Sequence, residues 1–330
     1  LRPRLTAAGR HRHYSAAMSA AAPPLFFIFN AASGHDDTRE IVQHVAALLR
    51  AAGRPAELLV AGQPGELGAL IGRAINGARD ARGVVVAVGG DGTLNAVAQA
   101  VWNAGLVMGV LPQGTFNFFG RVNGMPTDIG AAVDALLNAR IEPVPVGMVG
   151  DRLFLVNASV GMYPQLLEER EQAKRRYGRS RWVALWSGLL TLLRGGSVMT
   201  LELQGGADTR VVRTRTLFVG NNELQLRAVG LREAPEVEAG RLAAITLQPL
   251  SKLRTLWMIV RGVMGRLDGA QGVDSFAFDR LVVQPRRRAA SAKVAIDGEI
   301  FRLPTPLIFR IAPRPLQLLV PAHQDGEGAP

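Results

Sequence analysis

The chain has 330 residues, 48% hydrophobic and 20% charged, the balance of a globular protein with room for two domains that each bury a core. It contains no cysteine, which excludes disulfides, zinc-thiolate centres and thiol nucleophiles, and its five histidines (His11, His13, His35, His44, His323) lack the grouping that a metal-histidine enzyme needs. The formal charge of +11 falls only to about +7 when Arg2, Arg4, Arg10 and Arg12 are set aside, so the basic excess belongs to the body of the chain.

Residues 1–23 read as a disordered leader. Within it, 1–17 lack both a Met and an apolar stretch, and are taken as upstream sequence rather than an Arg-rich targeting segment. Next come apolar runs alternating with amphipathic stretches. "LFFIF" (25–29) leads to a helix over 37–52, "AELLV" (56–60) to one over 64–76, "VVVAV" (84–88) to one over 94–102, and "LVMGVL" (106–111) to two short helical stretches. Repeated βα units whose strands are apolar throughout predict a doubly wound parallel sheet covered on both faces, here over 24–143. From 144 to 312 the texture changes to short strand-like runs: "RLFLVNASV", "SVMTLELQ", "TRVVRTRTLFVG", "RLAAITLQ", "SFAFDRLVVQP", "SAKVAIDG" and "PLIFRI". Their density predicts an antiparallel β-sandwich, interrupted by helices at about 163–194 and 251–267. Residues 313–322 hold one more strand, and 323–330 read as a disordered tail. No apolar run reaches the ~18 residues of a membrane span; "WVALWSGLLTLL" (182–193) comes closest.

The chemistry concentrates where strands end. "VVVAVGGDGTLN" places Gly89, Gly90, Asp91, Gly92, Thr93 and Asn95 at a strand-to-helix turn, where unpaired amides and the helix dipole favour a phosphate. Glycines there remove Cβ atoms from its path and permit left-handed backbone. Asp91 would repel a phosphate unless Mg²⁺ or a basic group intervenes, so it points to a metal-nucleotide. Neither a G-x-G-x-x-G fingerprint nor a Gly-Lys-Ser/Thr P-loop is present. The next unit ends in "PQGTFNFFGR" with Gly114, Thr115 and Asn117, and the first strand ends in "FNAASG" with Asn30, Ser33 and Gly34. Three strand-end loops therefore converge on one edge. Late in the chain, "AIDGE" offers Asp297 and Glu299, although three such residues alone would equally suit a β-turn.

Taken together, "GGDGTLN", "PQGTFNFFGR" and "AIDGE" resemble the diacylglycerol kinase catalytic-domain family, which includes bacterial lipid kinases and the sphingosine and ceramide kinases; the likeness runs from about Leu25 to Pro321. The resemblance implies a nucleotide domain similar to phosphofructokinase and NAD kinase, a β-sandwich that accepts the lipid, a site in the cleft between them, and a last strand that can return to the first domain. By position, Gly89 to Thr93 would cradle the ATP phosphates, Thr115 and Asn117 would line the nucleotide pocket, and Asn30 would approach the adenosine side. Asp297 and Glu299 would supply the carboxylate that takes the proton of the acceptor hydroxyl. Four positions depart from the family pattern: Phe118 and Ala239 replace Asp, Ala31 replaces Pro, and Ala61 replaces Thr. The change at Ala239 removes an acid from the family's structural metal site, so Mg²⁺ is expected only with the nucleotide and no metal held by the protein alone.

Lys174, Arg175, Arg176, Arg179 and Arg181 precede Trp182 and Trp186, a pattern that suits an anionic membrane surface and equally a solvated face before a core helix. The stripe Leu253, Leu256, Trp257, Val260, Val263, Met264 and Leu267 reads mainly as packing. Nucleic acid is not expected, because aromatics are sparse and no recognition motif occurs. The sequence thus predicts an ATP- and Mg²⁺-dependent lipid kinase of the cytoplasm, peripherally docked on a membrane, with a homodimer left open. Its rivals are a small-molecule kinase of the NAD kinase type and a non-catalytic lipid-binding relative.

Overall fold

The computed structural model describes residues 22–31, 38–63, 65–113, 117–161, 198–205, 208–249, 251, 254, 257, 261, 264, 266, 272–286 and 289–322. Its first half is built from β1 (Leu25–Asn30), α1 (Thr38–Ala51), β2 (Ala56–Ala61), α2 (Glu66–Asp80), β3 (Val84–Gly89), α3 (Asp91–Ala104), β4 (Val107–Pro112), α4 (Phe118–Val122), α5 (Ile129–Leu137) and β5 (Ala139–Val144). Strands β2, β1, β3 and β4 pair in that order and in parallel. Parallel strands covered by helices leave no wet face, which is why "LFFIF" and "VVVAV" are apolar at every position and are buried throughout.

The second half is antiparallel. It comprises β6 (Gly147–Val149), β7 (Arg152–Phe154), β8 (Asn157–Gly161), β9 (Met199–Gly205), β10 (Asp208–Thr214), β11 (Thr216–Gly220), α6 (Glu223–Ala228), α7 (Ala234–Glu238), β12 (Leu242–Leu247), β13 (Val273–Phe278), β14 (Arg280–Pro285), β15 (Ser291–Ile296), β16 (Glu299–Pro304) and β17 (Leu307–Ile311). One sheet runs β10-β9-β14-β17-β6-β7 and the other β13-β12-β11-β8-β15-β16. Leu203, Leu217, Val219, Val294 and Phe309 meet between them in a separate core. The final strand, β18 (Leu316–Pro321), lies in the first sheet, parallel to β4 and antiparallel to β5. The Thr305–Pro306 peptide bond before β17 is cis.

Several element boundaries differ from the sequence reading. The helix after β3 starts at Asp91 rather than at residue 94, because the turn itself is helical, and α2 runs on to Asp80. "TRVVRTRTLFVG" and "SFAFDRLVVQP" each divide into two strands that belong to opposite sheets. At the first break the buried Thr214 hydroxyl bonds the carbonyls of Thr216 and Leu247, fixing a crossover that alternation alone does not reveal. Strands β5 and β16 and helices α6 and α7 were not anticipated. The helix read over 163–194, with its basic run and Trp182, lies outside the described residues. Of the stripe read as packing, Trp257 and Met264 are described and are exposed, 64% and 59% respectively.

Candidate active site

The turn between β3 and α3 sits at the carboxyl edge of the parallel sheet. Gly90 caps the helix in extended backbone (φ −83°, ψ 179°) with no side-chain cap, and the first intrahelical bond runs from Leu94 N to Gly90 O. The amides of the first turn thus stay available to an anion. Beside it, Phe29, Asn30, Thr38, Ile41, Val88, Gly89 and Gln113 line a small open cleft. Gln113 N donates to Gly89 O (3.0 Å), tying the ends of β3 and β4, and Asn30 Nδ2 donates to Thr93 Oγ1 (3.0 Å), tying the end of β1 to the first turn of α3.

The three glycines serve three different ends. None has the left-handed backbone that their sequence suggested. A Cβ on Gly89 would lie 2.9 Å from Thr93 Cβ, so this glycine makes room for the threonine. A Cβ on Gly92 would lie 3.0 Å from Glu299 Oε1, so that one admits the late carboxylate. A Cβ on Gly90 would meet only Gln113 O, at 3.7 Å, and this is the glycine that leaves open approach to the amides.

Three polar side chains near this turn and the β15–β16 turn differ in how their buried oxygens are satisfied. Asp91 Oδ1 is buried with no hydrogen-bond partner among the described residues, and burial holds its pKa above the ordinary carboxylate value. Asn117, at φ +48° before α4, also keeps a buried Oδ1 without such a partner. Asp297 is the opposite case. It occupies the β15–β16 turn at φ +43°, and its carboxylate accepts from Leu155 N (2.6 Å), Val156 N (2.9 Å), Asn157 N (2.9 Å) and Asn95 Nδ2 (2.8 Å). Burial nevertheless outweighs these bonds and pushes its pKa up to about 6. The left-handed conformation of this non-glycine residue is held by those four bonds.

Asp297, which the resemblance offers with Glu299 as the source of the base, and Asn95, read as a nucleotide ligand, are bonded to each other. Asn95 gives one Nδ2 bond to Asp297 and another to Leu153 O (2.9 Å), so the pair fastens α3 to the sandwich. A carboxylate already accepting four bonds has little capacity left for a substrate proton. Glu299, two residues on, is exposed, with its Oε1 directed at Gly92. Burial raises its pKa, an effect partly countered by the charge of Arg152. Arg152 in turn stacks on Phe301, 4.6 Å from the ring centroid.

Ser33, Gly34, Gly114 and Thr115 lie outside the described residues. Phe118 follows Asn117 as the first residue of α4, and its carbonyl accepts from Asn222 Nδ2 (3.1 Å). Asn222 in turn caps α6 through Gln225 N (3.0 Å), and Gln225 Oε1 accepts from Asn157 Nδ2 (3.3 Å). Sequence reasoning missed this chain of amides. Its one visible signal was Asn157, a polar residue at the head of the apolar run "NASVG". Near Ala239, Arg241 bonds Glu236 (3.0 Å) and the Ala277 carbonyl (3.3 Å) and pairs with Asp279 (3.4 Å).

One buried oxygen of this region has the chemistry to help hold a magnesium-nucleotide. Among the described residues no three His, Cys, Asp or Glu side chains gather in one place. Asp91 Oδ1, by contrast, is a buried hard-oxygen ligand in want of a cation, and Mg²⁺ commonly takes one or two carboxylates together with substrate phosphates.

A parallel sheet that ends in a glycine-rich turn with unpaired amides, met by a carboxylate from the sandwich, is a layout that phosphoryl transfer can use. A model of the diacylglycerol kinase catalytic domain matches residues 24–149. A Pseudomonas putida protein named "Probable lipid kinase YegS-like" is 30% identical over 241 residues, covering 72% of this chain and 77% of the relative. A Staphylococcus saprophyticus protein named "Diacylglycerol kinase" is 30% identical over 144 residues, 43% of this chain and 46% of that protein. A crystal structure of a diacylglycerol kinase from Bacillus anthracis superposes with a TM-score of 0.63 at 14% identity, covering 90% of this chain and 96% of that one. The chain belongs to the diacylglycerol kinase catalytic-domain family and is a phosphotransferase.

Proposed function

We propose that the protein transfers the γ-phosphoryl group of ATP to a hydroxyl of a membrane-derived lipid, with Mg²⁺ bound alongside the nucleotide. The observation that carries this reading is the meeting of two turns. Glu299 Oε1 comes within 3.0 Å of the Cβ position of Gly92, beside the unpartnered Asp91 Oδ1. In this reading the α3 amides at Asp91 to Thr93 bind phosphate oxygens, and the ends of β1 and β4 hold the nucleoside. Mg²⁺, held by Asp91 and the phosphates, supplies neutralisation of the charge on the transferring group. Glu299 accepts the proton of the lipid hydroxyl as its oxygen bonds to the γ-phosphorus, while the bond from that phosphorus to the β–γ bridging oxygen breaks and ADP departs. The raised pKa of Glu299 suits a base, since a more basic carboxylate takes a proton more readily.

Asp297 and Asn95 act as positioning residues that hold the Glu299 turn against α3. Exposed Trp257 and Met264, together with exposed Arg254 and Arg266, favour peripheral docking on an anionic membrane. Among the described residues no helix is long and apolar enough to cross a membrane. Incubation with radiolabelled ATP, Mg²⁺ and either a total lipid extract or NAD tests the proposal. Label is expected in an organic-phase product, and label in NAD alone overturns the reading.

A further inference from the structure

The sandwich has two open edges, and an arginine, a phenylalanine and an acid meet at both. The edge strands are β10 and β13 on one side, β7 and β16 on the other. At the first edge the Arg210 guanidinium stacks on Phe276, 3.7 Å from the ring centroid, and Arg210 Nη1 pairs with Asp274 Oδ2 (3.3 Å), two residues before that phenylalanine. At the second, Arg152 stacks on Phe301 (4.6 Å), and the acid two residues before it is Glu299. Strand register sets Glu299 and Phe301 on one face, because they pair with Ile296 and Val294, which both point into the sandwich core.

The two edges differ in what the acid does. Asp274 is paired with its arginine, whereas Glu299 turns Oε1 toward Gly92 at the head of α3, and exposed Arg152 makes no hydrogen bond or ion pair among the described residues. Stacking nevertheless fixes the plane of the Arg152 guanidinium and leaves the N–H donors around its rim open. Its neighbour Leu153 donates through N to Gln99 Oε1 (2.9 Å) and accepts at O from Asn95 Nδ2 (2.9 Å), which seats β7 along the helix that presents Gly92. Burial raises the Glu299 pKa and the Arg152 charge lowers it, so the two groups lie within electrostatic reach of each other.

We propose that Arg152 is a further catalytic residue, a cation brought by the sandwich that donates N–H bonds to the non-bridging oxygens of the phosphoryl group in transit. The inference rests on the lipid-kinase reading above and adds one group to its reacting centre. As the acceptor oxygen bonds to the γ-phosphorus and gives its proton to Glu299, the bond from that phosphorus to the β–γ bridging oxygen breaks and its electron pair leaves with ADP. Arg152 keeps its own protons and meets the charge spread over the three oxygens that remain on phosphorus. Phosphoryl transfer depends on fixed charges of this kind. Mg²⁺ with Asp91 serves the nucleotide side, and Arg152 serves the acceptor side, where the carboxylate of Glu299 would otherwise add to the negative charge.

The test sets Arg152→Met, whose apolar stem keeps the packing on Phe301, beside Arg152→Lys and the matching change at the other edge, Arg210→Met. With ATP, Mg²⁺ and a lipid extract, Arg152→Met should lower kcat by about a hundredfold or more, the loss expected when a preorganised donor to the reacting charge is removed, and Arg152→Lys should recover part of it. Mg-ADP, which lacks the γ-phosphoryl group, should bind Arg152→Met as it binds the wild type by calorimetry, and Arg210→Met should keep the wild-type kcat. If Arg152→Met fails to fold, Arg152→Lys decides: kcat lowered by about tenfold at unchanged Mg-ADP affinity supports the inference, since lysine keeps the charge but not the paired donors, and wild-type kcat overturns it. Wild-type kcat in Arg152→Met, loss of Mg-ADP affinity in step with activity, or an equal fall of kcat in Arg210→Met overturns the inference while leaving the lipid-kinase reading intact. A wild-type protein that labels no component of the lipid extract overturns that underlying reading and the inference with it.

Discussion

Two turns face each other across the cleft, and they treat a buried carboxylate in opposite ways. The turn at the head of α3 leaves Asp91 Oδ1 without a partner, whereas the turn between β15 and β16 surrounds Asp297 with four donors. A buried acceptor left empty is costly and marks a place where a ligand or cation completes the structure. A buried acceptor filled by backbone amides is a structural joint. Glu299, exposed and without such a network, is the carboxylate that the proposed function makes the base.

Five changes would break or sharpen this contrast. The largest effect is expected for Asp91→Asn, which should lower kcat by about a thousandfold, as when a preorganised charge on a transferring group is lost, while leaving Tm unchanged or higher. A loss of Tm in step with activity would make Asp91 a structural residue. Glu299→Gln should cost about a hundredfold in kcat/KM, the lower range for a general base. In the wild type the deprotonated base is the active form, so the acidic limb of the pH–rate profile should lie above the ordinary carboxylate range and vanish in the variant.

Asp297→Asn should destabilise the fold by about 3 kcal/mol, because two donors then face an amide nitrogen. Activity should fall with stability, read by denaturant titration beside the kinetics. The pH dependence of stability carries a related signature. The Asp297 pKa is raised from 3.8 to about 6, so between those values the folded chain binds a proton that the unfolded chain has released. This contribution is fully present below pH 3.8 and is lost as pH rises through about 6, a change of up to roughly 3 kcal/mol that the Asn variant should abolish. The smallest effect belongs to Gly90→Ala. Its backbone angles and open surroundings tolerate the methyl group, so Tm should hold while ATP affinity, measured calorimetrically, drops about tenfold. Gly89→Ala, which collides with Thr93, should instead lower Tm.

Much of the architecture was legible because its signals are local. Strands buried on both faces must be apolar at every position, so "LFFIF" and "VVVAV" announced a parallel sheet. The crowding of short alternating runs after residue 144 announced the sandwich. The glycine-rich turn was legible for the same reason, since backbone amides can meet a phosphate only where side chains are absent. What the turn's three glycines do individually was not legible: one makes room for Thr93, one for Glu299, and only Gly90 opens toward a ligand.

By itself the sequence determined that the chain pairs a parallel α/β half with a β-rich half and that glycines crowd the turn after the third strand, because composition, period and strand-end glycines are properties of neighbouring residues. Only the tertiary structure decided which carboxylate is saturated. Asp297 and Asn95 stand 202 positions apart and Asp297 and Leu155 142 apart, so their saturation and the approach of Glu299 to Gly92 exist only once the sandwich folds against the parallel sheet. Burial and hydrogen-bond satisfaction are set by what lies opposite in space, and no local pattern in the chain encodes them.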